Sequence, residues 1–279
     1  MRNTGFNLGR QLREKKPTDY KLGAMTPRCL VPVSKDEFLK YLPPGEVQVG
    51  KEDFSDCASR SPINNLEAKL TKFITIYPNH DFTKWLYSKG YVVSGKVLLS
   101  DRFIAILSGT DRDGNSLVGP LHTLHKVGFI PKKLLPREST MTFDEYHDKS
   151  KITPLMIDLG LESLTWVDIT YWETDLKAKD DIACTAGHAW PYPKNGVYPR
   201  TDETFNHAFI TVPEYVAFDN YPEDENDFIK DLASDFKLLP GYRLVLQLKK
   251  KPTETEIYKA SNWFTQILNH IWTTVLNFF

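Results

Sequence analysis

The sequence has few cysteines, only Cys29, Cys57 and Cys184 among 279 residues. So small and odd a number excludes a scaffold held together by disulfides, and it favours free thiols in a reducing compartment. An excess of charge is also missing, because 35 basic side chains are balanced by 36 acidic ones. We therefore expect no nucleic-acid partner, since binding to phosphates favours a basic surface.

The N-terminal region lacks an apolar run of the kind that forms a signal peptide. We therefore expect a cytoplasmic location. What the chain does contain is a large apolar fraction, 41% of its residues, which is enough to bury a core in one domain or in two closely packed halves.

The order of local patterns predicts an α+β protein. Residues 1 to 56 are rich in proline, glycine and lysine and are expected to form an extended wrap. Apolar residues recur at helical spacing in the next stretch, so 57 to 120 is expected to be mainly helical. Short β-prone runs, among them Ile104–Leu107 and Leu164–Tyr171, occur from about residue 91 to residue 250, and 121 to 252 is expected to be mainly β. Together these stretches form one expected domain, 1 to 252.

A linker and an amphipathic helix are predicted at residues 253 to 279. Apolar residues cover about half of the circumference of this helix. Such a helix can dock on its own domain, join copies of the chain, or lie on a membrane surface, so residues 257 to 279 are a candidate site for homo-oligomer or membrane contact.

Cys57 is the candidate nucleophile. It stands at the start of the predicted helix, with Asp56 as its expected capping residue. Backbone N–H groups at a helix start carry partial positive charge, which predicts a lowered pKa for the thiol. The alternative is that Cys57 is a small buried hydrophobic residue. A distant histidine, His207, and a polar segment beyond it complete the elements that a thiol nucleophile requires.

Four segments resemble those of papain-like cysteine peptidases, in the compact form without a prodomain that some bacteriophages and bacteria encode. Cys57–Glu67 is similar to the active-site helix of that family, and Phe205–Ile210 to its histidine strand. Phe218–Tyr221 resembles the Asn-Ser-Trp segment, and Gly128–Pro131 the connection between the two halves. The resemblance implies a two-lobed fold, with a helical lobe, then an antiparallel β-barrel-like lobe, and an active site between them.

The resemblance also implies catalytic roles. Cys57 and His207 would form a thiolate–imidazolium pair, and a neighbouring polar group would orient the imidazole. Alignment places Asp219 in that role, with Asn220 as the alternative, because strand alternation turns only one of them toward the site. Gln48 is the expected oxyanion donor.

Several positions depart from the family pattern. The loop Val49–Asp56, between the candidate oxyanion donor and the nucleophile, is longer than in the family and must bulge. Ala58 replaces an aromatic residue, and Tyr221 replaces the tryptophan that covers the histidine. Pro62 lacks a backbone N–H and is expected to disturb the second helical turn.

Other motifs indicate structural roles. His122 and His125 have a metal-binding spacing without a third ligand, so we expect neither a metal nor any other cofactor. Cys184 and His188 could form a second thiol–imidazole pair. However, Cys184 lies in an apolar run typical of a buried strand, and His188 is too close to it in sequence to face it across a site.

These observations favour a cysteine endopeptidase that cleaves a peptide or protein substrate through an acyl-enzyme. Two alternatives remain open at this stage. One is a structural or interaction protein on the same fold, and the other is an amidase or transferase that uses the same thioester chemistry. The bacteriophage resemblance adds a virion-associated location to the cytoplasmic one.

Overall fold

The computed structural model describes residues 33–174, 182–187, 193–200, 205–212, 216–221 and 228–249. Cys29, His188 and the predicted tail at 253–279 lie outside the described residues. Within these ranges, no helix has both the length and the apolar character that crossing a bilayer requires.

The first part of the described chain is helical. Its helices are α1 (Lys35–Tyr41), α2 (Cys57–Ile76), α3 (Asp81–Lys89), α4 (Asp101–Leu107), α5 (Val118–Val127), α6 (Phe143–Tyr146) and α7 (Pro154–Trp166). A two-stranded hairpin, β1 (Val92–Val93) with β2 (Lys96–Val97), interrupts the helices. Because α1 is helical, the N-terminal stretch is not extended throughout.

A seven-stranded sheet follows the helices. Its strands are β3 (Val167–Thr174), β4 (Ala183–Gly187), β5 (Val197–Tyr198), β6 (His207–Val212), β7 (Val216–Phe218), β8 (Ile229–Leu232) and β9 (Gly241–Leu248). They are arranged in the order β3-β9-β4-β6-β7-β8-β5, and the pairs are antiparallel except for β5 with β8. The expected α+β class is therefore confirmed.

The change from helix to sheet occurs at residue 167 rather than near residue 120. One predicted strand, Ile104–Leu107, is the second half of α4. The Ser100 side chain caps this helix, since its Oγ accepts a hydrogen bond from the Phe103 backbone N–H at 3.1 Å. An apolar run of four residues fits a buried helix as well as a strand, and the cap selects the helix.

Helix α2 packs against the sheet along most of its length, and the major hydrophobic core lies on both sides of it. Ser61 Oγ donates a hydrogen bond to the Phe209 carbonyl of β6 at 2.8 Å, and Asn65 Nδ2 donates to the Ile182 carbonyl at 3.0 Å. The helix runs without a break through Pro62. These contacts fix the position of the helix start relative to β6.

Gly128, which follows the last residue of α5, allows the chain to pass close to α7. Its φ of 76° and ψ of −151° belong to a region that is almost restricted to glycine. A Cβ at this position would lie 2.0 Å from the Gly160 carbonyl oxygen. The next residue is held as well, because the Phe129 N–H donates to Ser163 Oγ at 3.2 Å.

Candidate active site

Cys57 is the first residue of α2, and its side chain is fully buried. The backbone of Ala208, the second residue of β6, is close enough to the Cys57 thiol to lower its pKa. The sulfur at the start of the helix therefore lies against the strand residue that follows His207.

The environment of Cys57 acts against the expected thiolate. Burial raises the pKa of the Cys57 thiol well above its usual value, and the nearby Ala208 backbone offsets this only in part. The nearby carboxylates of Asp56, Asp53 and Asp219 raise the pKa further. The sequence prediction of a lowered pKa considered only the helix start, and burial has the larger effect.

His207 and Asp219 form a buried pair. His207 Nε2 lies 2.5 Å from Asp219 Oδ1, and both side chains are inaccessible to solvent. Strands β6 and β7 bring them together, because His207 begins β6 and Asp219 directly follows its antiparallel neighbour β7. The Asp219 N–H donates to the Phe228 carbonyl at 2.9 Å, which holds the end of β7.

Asn220 points elsewhere. Asn64 Nδ2, on α2, donates to Asn220 Oδ1 at 3.5 Å, and the Asn220 carbonyl accepts a hydrogen bond from the Gln48 N–H at 2.9 Å. Of the two candidate orienting residues, the structure therefore places Asp219 on the imidazole and Asn220 on the helix. Alternation along the extended chain accounts for this difference.

Gln48 is buried beside the end of β7. Its Nε2 donates to Asp53 Oδ1 at 2.9 Å, and that oxygen also accepts the Ser55 N–H at 2.9 Å. The loop before Cys57 folds back on itself, with a bridge between Val49 and Asp53 and a left-handed φ of 53° at Ser55. This turn forms the bulge that the spacing predicts.

Sequence reasoning did not identify Asp53 as part of the site. An acidic residue four positions before a candidate nucleophile is the signal that could have indicated it. Besides Gln48 and Ser55, which are near it in sequence, Asp53 has a distant partner: its Oδ2 accepts a hydrogen bond from the Tyr221 hydroxyl.

Tyr221 covers the histidine. Its ring contacts the His207 ring edge-on, with 4.9 Å between centroids and 74° between planes. Burial, followed by the Asp53 carboxylate, raises the pKa of the Tyr221 hydroxyl, so it stays protonated as a donor. The Tyr221 N–H also donates to Asp219 Oδ2 at 3.2 Å. Tyr221 thus contacts both members of the buried pair.

A buried charged cluster lies behind Cys57. Tyr146 Oη is 2.8 Å from Asp56 Oδ2 and 2.8 Å from Asp101 Oδ2. Arg137 forms an ion pair with Asp56, and Arg60 lies 3.0 Å from Asp101. The Asp56 side chain therefore makes no capping hydrogen bond to α2, contrary to the sequence prediction.

The two carboxyl groups of this cluster differ in acidity. Burial raises the pKa of Asp56 to about 6. Arg137 acts to lower this pKa, and the neighbouring Asp101 acts to raise it. Burial acts to raise the pKa of Asp101 as well, but Arg60 and Arg137 together hold that pKa below its usual value. Asp101 is therefore the ionised partner of the two arginines, and Asp56 is the group that takes up a proton first.

The remaining candidates occupy structural positions. Cys184 is buried in β4, where its sulfur accepts a hydrogen bond from Asn65 Nδ2 at 3.6 Å. His125 Nδ1 lies 2.7 Å from the Ile169 carbonyl oxygen, and the His125 ring packs edge-on against Tyr171. In the described ranges, no three histidine, cysteine or acidic side chains form a group that could hold a metal ion.

Structural comparison aligns the chain with cysteine proteases. Amb a 11, a ragweed pollen allergen solved in its proform, aligns over 81% of this chain and 69% of its own, with 12% identity and a TM-score of 0.48. Xylellain from Xylella fastidiosa aligns over 84% and 97%, with 12% identity and a TM-score of 0.44. Digestive procathepsin L 3 from the larval midgut of Tenebrio molitor aligns over 82% and 70%, with 13% identity and a TM-score of 0.42. No protein-family profile and no curated protein matches the sequence.

Proposed function

We propose that this protein is a papain-like cysteine peptidase that hydrolyses peptide bonds in protein substrates. One observation carries the proposal: His207, which pairs with Asp219, is followed on β6 by Ala208, whose backbone is close enough to the Cys57 thiol to lower its pKa. A thiol, an imidazole and a carboxylate that holds the far side of the imidazole are the groups that nucleophilic acyl transfer requires.

In the first step, the Cys57 sulfur attacks the carbonyl carbon of the scissile peptide bond, and its proton passes to His207. Because burial favours the neutral thiol, we place this proton transfer at the moment of attack rather than in a preformed ion pair. Asp219 accepts a hydrogen bond from Nε2, which directs Nδ1 to the proton that moves and stabilises the imidazolium that forms.

The attack turns the carbonyl oxygen into an oxyanion. The backbone N–H of Cys57 is one proposed donor, because the first N–H groups of a helix have no intrahelical partner. The Gln48 carboxamide is the other, as the sequence resemblance implies. Its backbone is fixed by the hydrogen bond to the Asn220 carbonyl, next to the residue that holds His207.

The tetrahedral intermediate then collapses. The carbon–nitrogen bond breaks, His207 donates its proton to the leaving amine, and a thioester with Cys57 remains. A water molecule attacks this thioester and gives its proton to His207. His207 then returns the proton to the sulfur as the carbon–sulfur bond breaks, which releases the acid and restores the thiol. The resemblance to bacteriophage enzymes suggests processing of virion or host proteins, in the cytoplasm or in a virion.

Hydrolysis of fluorescently labelled casein by the full-length chain tests the proposal. We expect the wild-type protein to release labelled peptides and Cys57→Ala to release none. Cys184→Ala is the matched control, because Cys184 is equally buried, and it should retain activity. Hydrolysis that persists in Cys57→Ala contradicts the mechanism. A wild-type protein that cleaves no protein substrate but acylates an added amine would instead support a transferase.

A further inference from the structure

We infer that Asp53 is a positioning residue, which orients the Gln48 carboxamide for the oxyanion and links it to the Tyr221 cover over His207. This inference rests on the proposed peptidase function. Asp53 lies on the loop before Cys57 and is not expected to touch the substrate, so its effect would pass through the two side chains that it holds.

The contacts of Asp53 divide between its two oxygens. Oδ1 accepts hydrogen bonds from Gln48 Nε2 and the Ser55 N–H, each at 2.9 Å, and Oδ2 accepts one from the Tyr221 hydroxyl. The Ser55 contact fixes the carboxylate relative to its own loop. A fixed carboxylate then determines which end of the Gln48 carboxamide is the nitrogen end, because only the NH₂ group can donate to it.

This orientation matters because an oxyanion requires a donor. The Gln48 NH₂ group carries two hydrogens in a planar group. A hydrogen bond from one of them to Asp53 therefore fixes the direction in which the other points. Without the carboxylate, the carboxamide can turn and present its oxygen, which repels an oxyanion. Donors that are already in place stabilise the transition state without reorganisation during the reaction.

The same carboxylate holds Tyr221 on the histidine. The Tyr221 ring lies edge-on to the His207 ring, and the Tyr221 hydroxyl donates a hydrogen bond to Asp53. Asp53 therefore joins the loop before the nucleophile to the segment after β7. The link joins residues 53 and 221 through a side chain that the family resemblance does not assign.

Two reactions of Cys57 separate this role from a general effect on the thiol. Hydrolysis of an internally quenched peptide, taken from a casein cleavage site, forms an oxyanion. Alkylation by iodoacetamide does not, because the sulfur displaces iodide from a saturated carbon. A residue that orients the oxyanion donor should support hydrolysis, mainly through kcat, and its removal should not slow alkylation.

For Asp53→Ala we expect kcat to fall about tenfold, as the loss of one charge-assisted hydrogen bond implies, with little change in KM and no slower alkylation of Cys57. Asp53→Asn should recover most of the kcat, because its Oδ1 still accepts from Gln48 and its amide can donate to the Tyr221 oxygen. If Asp53 acts through Gln48, the double variant Asp53→Ala/Gln48→Ala should be no slower than Gln48→Ala alone.

Near-UV circular dichroism checks that each variant is folded. If Asp53→Ala does not fold, Tyr221→Phe replaces it, and we expect a smaller loss of kcat, no slower alkylation and the same non-additivity with Gln48→Ala. A folded Asp53→Ala with wild-type kcat overturns the inference, and so does a parallel loss of alkylation. A wild-type chain that does not hydrolyse casein overturns the peptidase proposal and this inference with it. An active wild type with an equally active Asp53→Ala overturns the inference alone.

Discussion

His207 Nε2 lies 2.5 Å from Asp219 Oδ1, with both side chains buried, although the two residues are twelve positions apart in sequence. Two antiparallel strands, β6 and β7, create this proximity. A buried imidazole with one nitrogen held by a carboxylate has a fixed orientation, and this is the property that a proton-transfer residue needs.

Asp219→Ala should therefore lower kcat/KM by about 10- to 100-fold, which corresponds to a hydrogen bond with a charged partner. Asn220→Ala is the matched control and should have little effect, because Asn220 faces Asn64 rather than the imidazole. Asp219→Asn should lie between wild type and Asp219→Ala, since it keeps an acceptor oxygen. Equal losses in Asp219→Ala and Asn220→Ala would contradict the assignment.

Gly128→Ala should destabilise the fold strongly. Its Cβ would lie 2.0 Å from the Gly160 carbonyl oxygen, and the backbone would keep a φ of 76°. Gly109→Ala is the control, because Gly109 has a similar φ of 72° and nothing within 4 Å of the added Cβ. We expect Gly109→Ala to cost about 1–2 kcal/mol and Gly128→Ala at least about 1–3 kcal/mol more, measured by urea denaturation. Similar costs for both would show that the contact with α7 relaxes easily.

Tyr146→Phe removes a hydroxyl that lies 2.8 Å from each of two buried carboxyl groups, those of Asp56 and Asp101. We expect the free energy of unfolding to fall by about 1–3 kcal/mol, because the buried carboxyl oxygens lose a partner. Tyr87→Phe, at a position with 56% exposure, should leave stability unchanged. Thermal and urea unfolding of both variants measure the difference, and an unaltered Tyr146→Phe would mean that the cluster adapts without cost.

Glu67 should make stability depend on pH. Burial raises the pKa of Glu67 to about 8, although Arg60 and the Leu99 N–H act in the opposite direction. The folded state therefore binds a proton more tightly than the unfolded state. The resulting stability is fully present below the unfolded pKa, near 4.5, and is lost as the pH rises toward 8.

Glu67→Gln cannot lose this proton, and its Oε1 can still accept the hydrogen bond from Leu99. Relative to wild type, the variant should thus gain stability steadily between about pH 5 and pH 8, as linkage requires. Urea denaturation at several pH values measures this trend, with the exposed Glu138→Gln as the control for loss of one negative charge. A difference between Glu67→Gln and wild type that does not change with pH would contradict the buried environment of Glu67.

Much of the site could be found from local sequence patterns. The helical spacing that begins at Cys57 predicts the start of α2, and the apolar residues after His207 predict β6. The structure places Cys57 close to Ala208, the residue after His207, and puts Asp219 on the imidazole. These residues are recognisable because each stands at the end of a regular element, where pattern and position are both visible.

The rest depends on contacts between distant parts of the chain. The Asp53–Tyr221 link and the Asp56–Tyr146 link join segments that are more than 80 residues apart, so no local pattern contains them. The raised pKa of Cys57 has the same origin, because burial is a property of the packed fold. The helix at Ile104–Leu107 was missed for another reason, since a short apolar run does not distinguish helix from strand.

The central claim is that Cys57 is the nucleophile and His207 its base. Mass spectrometry of the full-length chain after treatment with a peptidyl epoxide at neutral pH tests it most directly, because Cys57 and Cys184 are equally buried and exposure cannot explain a difference. We predict that Cys57 is labelled and Cys184 is not, and that the Cys57 adduct forms much more slowly in His207→Ala. Equal labelling of Cys57 and Cys184, or an unchanged rate in a folded His207→Ala, would contradict the account.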